Sequence, residues 1–351
     1  MSSPSNNHLE SIRLEEAKPK APRRLMIPSL AVSNLTIATP MLIVTLLLVD
    51  IARSFGVSVG VAGQTSTAFF AVTVIVALLL GVLSVRFGHK LLILTGLFFV
   101  SVSALGCYFV QDLTTMLLVY SMSGFGYAIV QPMSGAMIGE HLSIEKRGTA
   151  MGWIIAGMSS AYLVGSPVVG FLGDWRLAFL AFVLPVALLS LFLALMVLPS
   201  SPSKGQVSGG VRNYLQGFKE ILGNRSAMAC LSGAAICAAS FTVLLTYSIS
   251  FYRQRFLVPT SFASIILTVA ALTYTSGSLV GGRFVNRFGR RPLTILAALL
   301  LGLSVITFIY VPNLWLSQTL LYLGCFSGGM RVTAGNSLAL EQVPGFRGAM
   351  M

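Results

Sequence analysis

Ten stretches of mainly apolar residues, each about the length that crosses a lipid bilayer, divide this chain. A spanning helix needs about 20 such residues, and only helices and closed barrels satisfy their backbone polar groups inside lipid. The stretches cover residues 27–52, 61–85, 91–110, 113–139, 149–171, 177–198, 227–251, 260–285, 292–311 and 313–340. The sequence therefore predicts an all-α membrane protein with ten spans.

The composition excludes a soluble fold. Hydrophobic residues make up 55% of the chain and charged residues 9%, whereas a soluble domain carries about 25% charge. The net charge of +13 does not indicate nucleic-acid binding, because the basic residues cluster in short loops between apolar stretches. The four cysteines, Cys107, Cys230, Cys237 and Cys325, lie inside apolar stretches without paired spacing, so we expect no disulfide framework and no metal site.

A short basic segment occurs twice. Residues 81–90 (GVLSVRFGHK) return 201 positions later as residues 282–291 (GRFVNRFGRR), each time between two apolar stretches. Two loops on one side of a membrane must be separated by an even number of spans, and the segmentation places six between them. The repeat therefore predicts two structural halves with the same orientation, which is typical of secondary transporters.

The same segmentation divides the chain into four parts. Residues 1–26 are a polar tail that we expect to be disordered and to contain no cleavable signal peptide. Residues 27–198 form an N-terminal bundle of six helices, and residues 227–351 form a C-terminal bundle with four. Residues 199–226, rich in proline, glycine and basic residues, have the composition of a cytoplasmic linker.

Lysine and arginine set the expected orientation, because cytoplasmic loops carry an excess of them. Seventeen of these residues lie on the side of the N-terminal tail, and four, Arg53, Arg176, Arg253 and Arg255, lie on the other. We therefore expect a multi-pass protein of the plasma (cell inner) membrane with its N-terminus in the cytoplasm.

Both basic segments resemble the loop motif Gly-x-Leu-x-Asp-Arg-x-Gly-Arg/Lys-Arg/Lys of the major facilitator superfamily. The matching residues are Gly81, Leu83, Arg86, Gly88 and Lys90 in the first copy, and Gly282, Arg287, Gly289, Arg290 and Arg291 in the second. Gly165, Pro167 and Gly170 resemble the Gly-Pro motif in the fifth span of the family's antiporters. The chain is thus similar to drug–proton antiporters and sugar-efflux permeases. The resemblance implies a two-bundle fold, gating by the two loops and alternating access around a central site.

Three departures from the family pattern bear on mechanism. Val85 and Asn286 replace the motif's aspartate, which in the family helps to lock one gate. Tyr120 or Met122 stands where the drug–proton antiporters carry a relay arginine. The family has twelve spans, so the resemblance implies that the C-terminal bundle of this chain lacks the last two.

Charged residues inside spans are costly and therefore informative. Arg331 lies ten residues before Glu341, about 15 Å along a helix from its end and near the membrane midplane. The family places this span against the central cavity, so we expect Arg331 to bind an anionic or polar group of a substrate. The alternative is an interhelical hydrogen bond or salt bridge. Asp50, beside Arg53 at the end of the first span, is interpreted as an interfacial residue rather than a proton carrier.

Polar residues on spans one, four, seven and ten complete the predicted substrate and ion pathway. They are Asn34, Tyr127, Gln131, Tyr247 and Asn336. Burying an unpaired polar group is unfavourable, so these side chains should face a cavity or a neighbouring helix.

Other residues have expected structural roles. Glu140 and Arg147 lie at cytoplasmic helix ends, where we expect ion pairing associated with a gate. Gly152, Gly157 and Gly165 should allow close helix packing.

The residues of the spans assemble neither a catalytic constellation nor a phosphate-binding loop, so we expect no enzyme and no cofactor. The sequence predicts a secondary active transporter that couples to protons and exports small organic or amphipathic solutes. Two alternatives stay open: an uncoupled or exchange transporter of anionic or sugar-like solutes, and a truncated paralogue that does not transport. The expected partners are the lipid bilayer, a small-molecule substrate and protons. We expect a monomer that binds no nucleic acid.

Overall fold

A computed structural model describes residues 25–199 and 223–342. One helix occupies each predicted span: α1 (Met26–Ser54), α2 (Gln64–Arg86), α3 (His89–Phe109), α4 (Leu113–His141), α5 (Ile144–Leu172), α6 (Trp175–Val197), α7 (Arg225–Arg255), α8 (Thr260–Phe288), α9 (Arg290–Thr307) and α10 (Leu314–Gln342). The predicted all-α fold is confirmed, with no strand in the described ranges. Most of the predicted tail and linker lies outside those ranges.

Nine of the described helices are long and apolar enough to cross a bilayer. The exception is α10, which has 29 residues but carries Gln318 and Arg331 within its length. A one-turn helix, Val59–Ala62, precedes α2, and α6 contains a π-helical turn at Phe179–Val183. Short turns join most of the helices, so consecutive helices alternate in direction.

The two ends of the helix bundle differ in charge. The turns after α2, α4 and α8 lie at one end, which we name the basic side because Arg86, Lys90, Arg147, Arg287 and Arg290 flank them. The turns after α1, α3, α5, α7 and α9 lie at the other end, named the opposite side.

Helix ends follow local sequence signals. Asp112 caps α4: its carboxylate accepts hydrogen bonds from the backbone N–H of Thr115 at 2.9 Å and from the hydroxyl of Thr115 at 2.6 Å. The bond from the Thr115 hydroxyl is the largest cause that holds the pKa of Asp112 below its ordinary value. Gly289, with φ +86°, forms the turn between α8 and α9 in a conformation that favours glycine.

The helices pack in the same pattern in both halves of the sequence. In the first half α4 packs against α2 and α3, and in the second half α10 packs against α8 and α9. Glycines permit both close contacts. A Cβ added to Gly124 of α4 would lie 2.3 Å from the carbonyl oxygen of Phe69 on α2. A Cβ added to Gly329 of α10 would lie 2.0 Å from that of Tyr274 on α8. The packing therefore repeats along with the basic segment.

Helix α1 occupies the centre of the molecule. It packs against α4, α5 and α6 of the first half and against α7 and α8 of the second. Its close approach to α5 depends on Gly157, where an added Cβ would lie 2.2 Å from the carbonyl oxygen of Ala31. A Cβ added to Gly165 would likewise lie 2.7 Å from the Leu42 side chain. The prediction for Gly152 is wrong, because an added Cβ there meets nothing within 4 Å.

Candidate functional site

A cavity of about 390 Å³ lies between the two halves, near the middle of the helices. Both halves supply its walls. The first half contributes residues of α1, α2, α4 and α5: Ala38, Met41, Phe70, Tyr127, Met158, Ser159 and Tyr162. The second half contributes a larger set that includes Cys237, Phe241, Thr242, Tyr274, Thr275, Cys325, Gly328 and Arg331. Its size falls in the ordinary range of small-molecule sites, about 300–1,000 Å³.

Arg331 is the only charged residue among those that line this cavity. It lies near the middle of α10 and is 6% exposed. Among the described residues its guanidinium group has neither a hydrogen-bond nor an ion-pair partner. The Tyr274 hydroxyl is close enough to interact with it electrostatically. The interhelical salt bridge considered from the sequence is therefore not formed with any described residue.

An ion pair joins the two halves on the opposite side of the bundle. Arg253 of α7 forms a two-point contact with Asp50 of α1: one guanidinium nitrogen donates to Oδ2, and the other donates to Oδ1 at 2.9 Å. The Arg253 side chain is 8% exposed and that of Asp50 is 23% exposed. Asp50 lies near the end of α1 on the opposite side, and it pairs across the halves and not with the neighbouring Arg53.

The contact between α5 and α8 closes the same side. The Ser166 hydroxyl donates to the carbonyl oxygen of Ser264 at 2.9 Å. A Cβ added to Gly170 would lie 2.5 Å from the Ser264 side chain. The Gly-Pro motif of Gly165, Pro167 and Gly170 therefore lies where the halves meet. The Ser166–Ser264 bond and the contacts of Arg253 with Asp50 and the Leu46 carbonyl thus join the two halves toward this side.

The predicted pathway residues occupy different places. Tyr127 and Arg331 line the central cavity. Tyr247 lies by the α1–α2 turn, where its hydroxyl is 1.9 Å from the position of a Cβ added to Gly63. This contact again joins the halves on the opposite side.

The remaining pathway residues do not meet Tyr127 and Arg331. Asn34 is fully buried, and its amide donates to Ser134 of α4 at 3.0 Å. Gln131 is exposed and does not line the cavity. The side chain of Asn336 lies outside the described part of the structure.

On the basic side, the first loop is held to its own half. Lys90 donates to the carbonyl oxygen of Leu195 at 2.8 Å, which ties α3 to α6. The predicted pairing of Glu140 with Arg147 is wrong. Glu140 contacts His89 at 3.1 Å, and Arg147 donates to the carbonyl oxygens of Leu142 and Gly139, at the carboxyl end of α4. Those carbonyls have no partner within the helix, so a cation binds there favourably.

The second loop keeps its basic residues at the same end. Arg287 lies over the Phe288 ring, with its guanidinium carbon 5.6 Å from the ring centroid. The side chains of Val85 and Asn286, which replace the motif's aspartate, lie outside the described part of the structure. Gating by the loop residues therefore stays a prediction.

Sequence reasoning missed Arg253, Tyr162, Phe241 and Tyr274. The last three are aromatic residues in apolar helices and carry no signal that separates a cavity wall from lipid contact. Arg253 did carry one, because it and Asp50 lie at equivalent ends of the first helix of each half. Among the described residues no group of three His, Cys, Asp or Glu side chains could hold a metal ion.

Two helix groups that share one packing pattern and enclose a cavity define a membrane transporter of the two-bundle class. The chain matches the family model of the Major Facilitator Superfamily over residues 29–351 and belongs to that family. It is a multi-pass membrane protein of a transporter family.

Known proteins agree with this assignment. The chain is 26% identical over 275 residues to "Multidrug resistance protein 1" of Bacillus subtilis, covering 77% of this chain and 69% of that protein. It is 27% identical over 308 residues to the "Probable sugar efflux transporter" of Helicobacter acinonychis, covering 84% and 74%. The crystal structure of a bacterial homologue of the human lysosomal transporter spinster, in an inward-facing and unoccupied conformation, has a TM-score of 0.72 at 17% identity, covering 89% of this chain and 74% of that one. The resemblance to drug antiporters and sugar-efflux permeases is confirmed.

Proposed function

We propose that this chain is a secondary transporter that exports small organic solutes from the cytoplasm by alternating access. One observation carries the proposal: the halves enclose a cavity at mid-depth, while their mutual hydrogen bonds lie toward the opposite side. If the basic side is cytoplasmic, as the excess of Lys and Arg predicts, this arrangement is inward-facing.

In this proposal the contacts on the opposite side form the outer gate. Opening the gate requires the Asp50–Arg253 pair and the Ser166–Ser264 hydrogen bond to break. Rocking of one half against the other about the cavity accomplishes both at once. Arg331 then binds a polar or anionic group of the solute at the middle of the path, with Tyr127 beside it.

In this proposal Asp50 is the proton carrier, in place of the purely interfacial role that the sequence alone indicated, because it pairs across the two halves. Among the described helices, Asp50 is the carboxylate that lies between the halves. Its partner is Arg253 of α7, whose guanidinium group also donates to the Leu46 carbonyl oxygen of α1. When the outer gate opens, Asp50 loses Arg253 and its free carboxylate can take up a proton from outside. When the gate closes, the guanidinium replaces the proton as the partner of Asp50, and the proton leaves through the inward-open cavity to the cytoplasmic side. Each cycle thus moves a proton inward and a solute outward, and the proton gradient drives export.

An exchange transporter of anions is the second candidate. It is favoured by the single positive charge and the lack of acidic residues among those that line the cavity. In this version, the transporter changes conformation in either direction only when an anion is bound to Arg331, and no proton is transported.

Transport into inside-out vesicles separates the two candidates. A panel of amphipathic anions, cations and neutral compounds is tested with and without an imposed proton gradient, in vesicles containing the wild-type chain or Asp50→Asn. A proton-coupled exporter accumulates its solute only with the gradient, and Asp50→Asn abolishes accumulation. Counter-flow that ignores the gradient but requires an anion on both sides supports the exchanger. Movement of no compound in any condition would overturn both.

A further inference from the structure

We infer that the central cavity binds a flat aromatic monocarboxylate, with the carboxylate on Arg331 and the rings between aromatic walls. This inference rests on the proposed function, because it names the substrate class of the same cavity. It does not depend on the direction or coupling of transport.

The charge of the site comes from Arg331. Its guanidinium group is buried in the middle of the bundle, and no described residue accepts a hydrogen bond from it or forms an ion pair with it. A buried charge without a partner is strongly unfavourable. A second cavity of about 410 Å³, between α7, α9 and α10, also reaches Arg331, and no Asp or Glu lines either cavity in the described part of the chain. The lining of the central cavity therefore offers one anion-binding group and no carboxylate for a cation, and the second cavity adds Arg291 at the basic side.

The walls of the cavity are aromatic on both sides. Phe70, Tyr127 and Tyr162 face it from the first half, and Phe241 and Tyr274 from the second. The Phe241 and Tyr274 rings lie with centroids 5.0 Å apart and planes inclined by 31°. Such rings favour stacking against another flat ring. Gly328 leaves the space that Phe241 occupies, since an added Cβ would lie 2.8 Å from its ring.

The polar atoms of the walls are few. The hydroxyls of Tyr127, Tyr162 and Tyr274 form no hydrogen bond to any described residue and are close enough to interact electrostatically with one another. They can donate to the second carboxylate oxygen or to a ring substituent. A sugar would require many more donors and acceptors, and a cation would face Arg331. One guanidinium group matches one carboxylate.

Equilibrium binding to the purified full chain in detergent tests the inference without any transport. The probes are 2-naphthoate, 2-naphthamide and 2-naphthylmethylammonium, which share a ring system and differ in charge, and octanoate, which keeps the charge without a ring. We expect 2-naphthoate to bind at least tenfold more tightly than the amide and than octanoate, and the ammonium compound not to bind. Equal affinity for the acid and the amide would overturn the inference.

Two variants assign the preference to the cavity. Arg331→Gln should remove the preference for the acid, whereas Arg331→Lys should keep part of it. Arg283→Gln is the matched control, because Arg283 is an exposed arginine of α8 that does not line the cavity. Unchanged preference for the acid in a folded Arg331→Gln variant would overturn the inference. If that variant does not fold, Tyr274→Phe and Phe241→Ala must each weaken the binding of 2-naphthoate. Binding without transport in vesicles would contradict the proposed function alone.

Discussion

At the scale of single residues, the Asp50–Arg253 pair shows what pattern and fold each contribute. The sequence placed both residues on the same side of the membrane. It could not pair them, because 203 residues separate them and α1 and α7 meet only through the packing of the two halves. Arg331 behaves differently. Its depth followed from counting along one helix, but its lack of a partner required the surrounding helices.

A double-mutant cycle on Asp50→Asn and Arg253→Gln tests the outer gate. Each single variant should lower the stability of the inward-facing form, because each leaves a partly buried partner without its counter-charge. We expect a coupling of about 1–2 kcal/mol in the free energy of unfolding, measured in detergent, since pairs in direct contact commonly couple by about 0.5–3 kcal/mol.

Arg255→Gln is the control for that cycle. Arg255 is also an arginine of the last turn of α7, but it donates to the Ile309 carbonyl within its own half. It should show no coupling to Asp50→Asn. Additive effects of Asp50→Asn and Arg253→Gln would argue against a latch between these two residues.

At the scale of helices, the sequence predicted each element because a span requires a long apolar stretch. The helix ends were less predictable. Helix α7 continues to Arg255, beyond the predicted end at 251. Its last turn holds Arg253, which pairs with Asp50 of α1, whereas the apolar pattern alone placed this arginine in a loop. The cavity lining was also only partly predictable. Gln131 lies one turn beyond Tyr127 on α4, yet only Tyr127 reaches the cavity. The position of each residue along α4 relative to the second half determines which side chain reaches the cavity, and a single sequence does not contain that information.

Glycine substitutions test the close helix contacts. Gly157→Ala would place a methyl group 2.2 Å from the Ala31 carbonyl oxygen, so α1 and α5 must move apart. We expect a loss of about 1–3 kcal/mol in the free energy of unfolding, as for other overpacked sites. Thermal unfolding in detergent measures it.

Gly152→Ala, on the same helix, has open space around the added methyl group. It should be neutral or stabilising by up to about 1 kcal/mol, because alanine favours helix over glycine. Equal destabilisation by the two substitutions would show that helix propensity, rather than contact with α1, determines the effect.

At the scale of the whole molecule, the repeat and the gate are connected. Two halves with the same packing pattern can rotate as units only if few contacts join them, and the polar contacts of the described residues that do so lie toward the opposite side. The helices α5 and α8 form one such line of contact and α1 and α7 the other. Alternating access therefore predicts that fixing either line stops transport while leaving each half intact.

A reversible disulfide tests this. In a background with the four native cysteines replaced by alanine, Gly170→Cys and Ser264→Cys should cross-link α5 to α8 on oxidation. A Cβ on Gly170 lies 2.5 Å from the Ser264 side chain, and a disulfide needs Cβ atoms about 3.5–4.5 Å apart, so a small shift suffices. Oxidation should abolish transport, and a reductant should restore it. The control pair is Ser103→Cys with Ser123→Cys, whose native hydroxyls lie 2.6 Å apart between α3 and α4 of one half. Its cross-link should leave transport unchanged, and continued transport through a fully cross-linked α5–α8 pair would exclude rocking of the two halves.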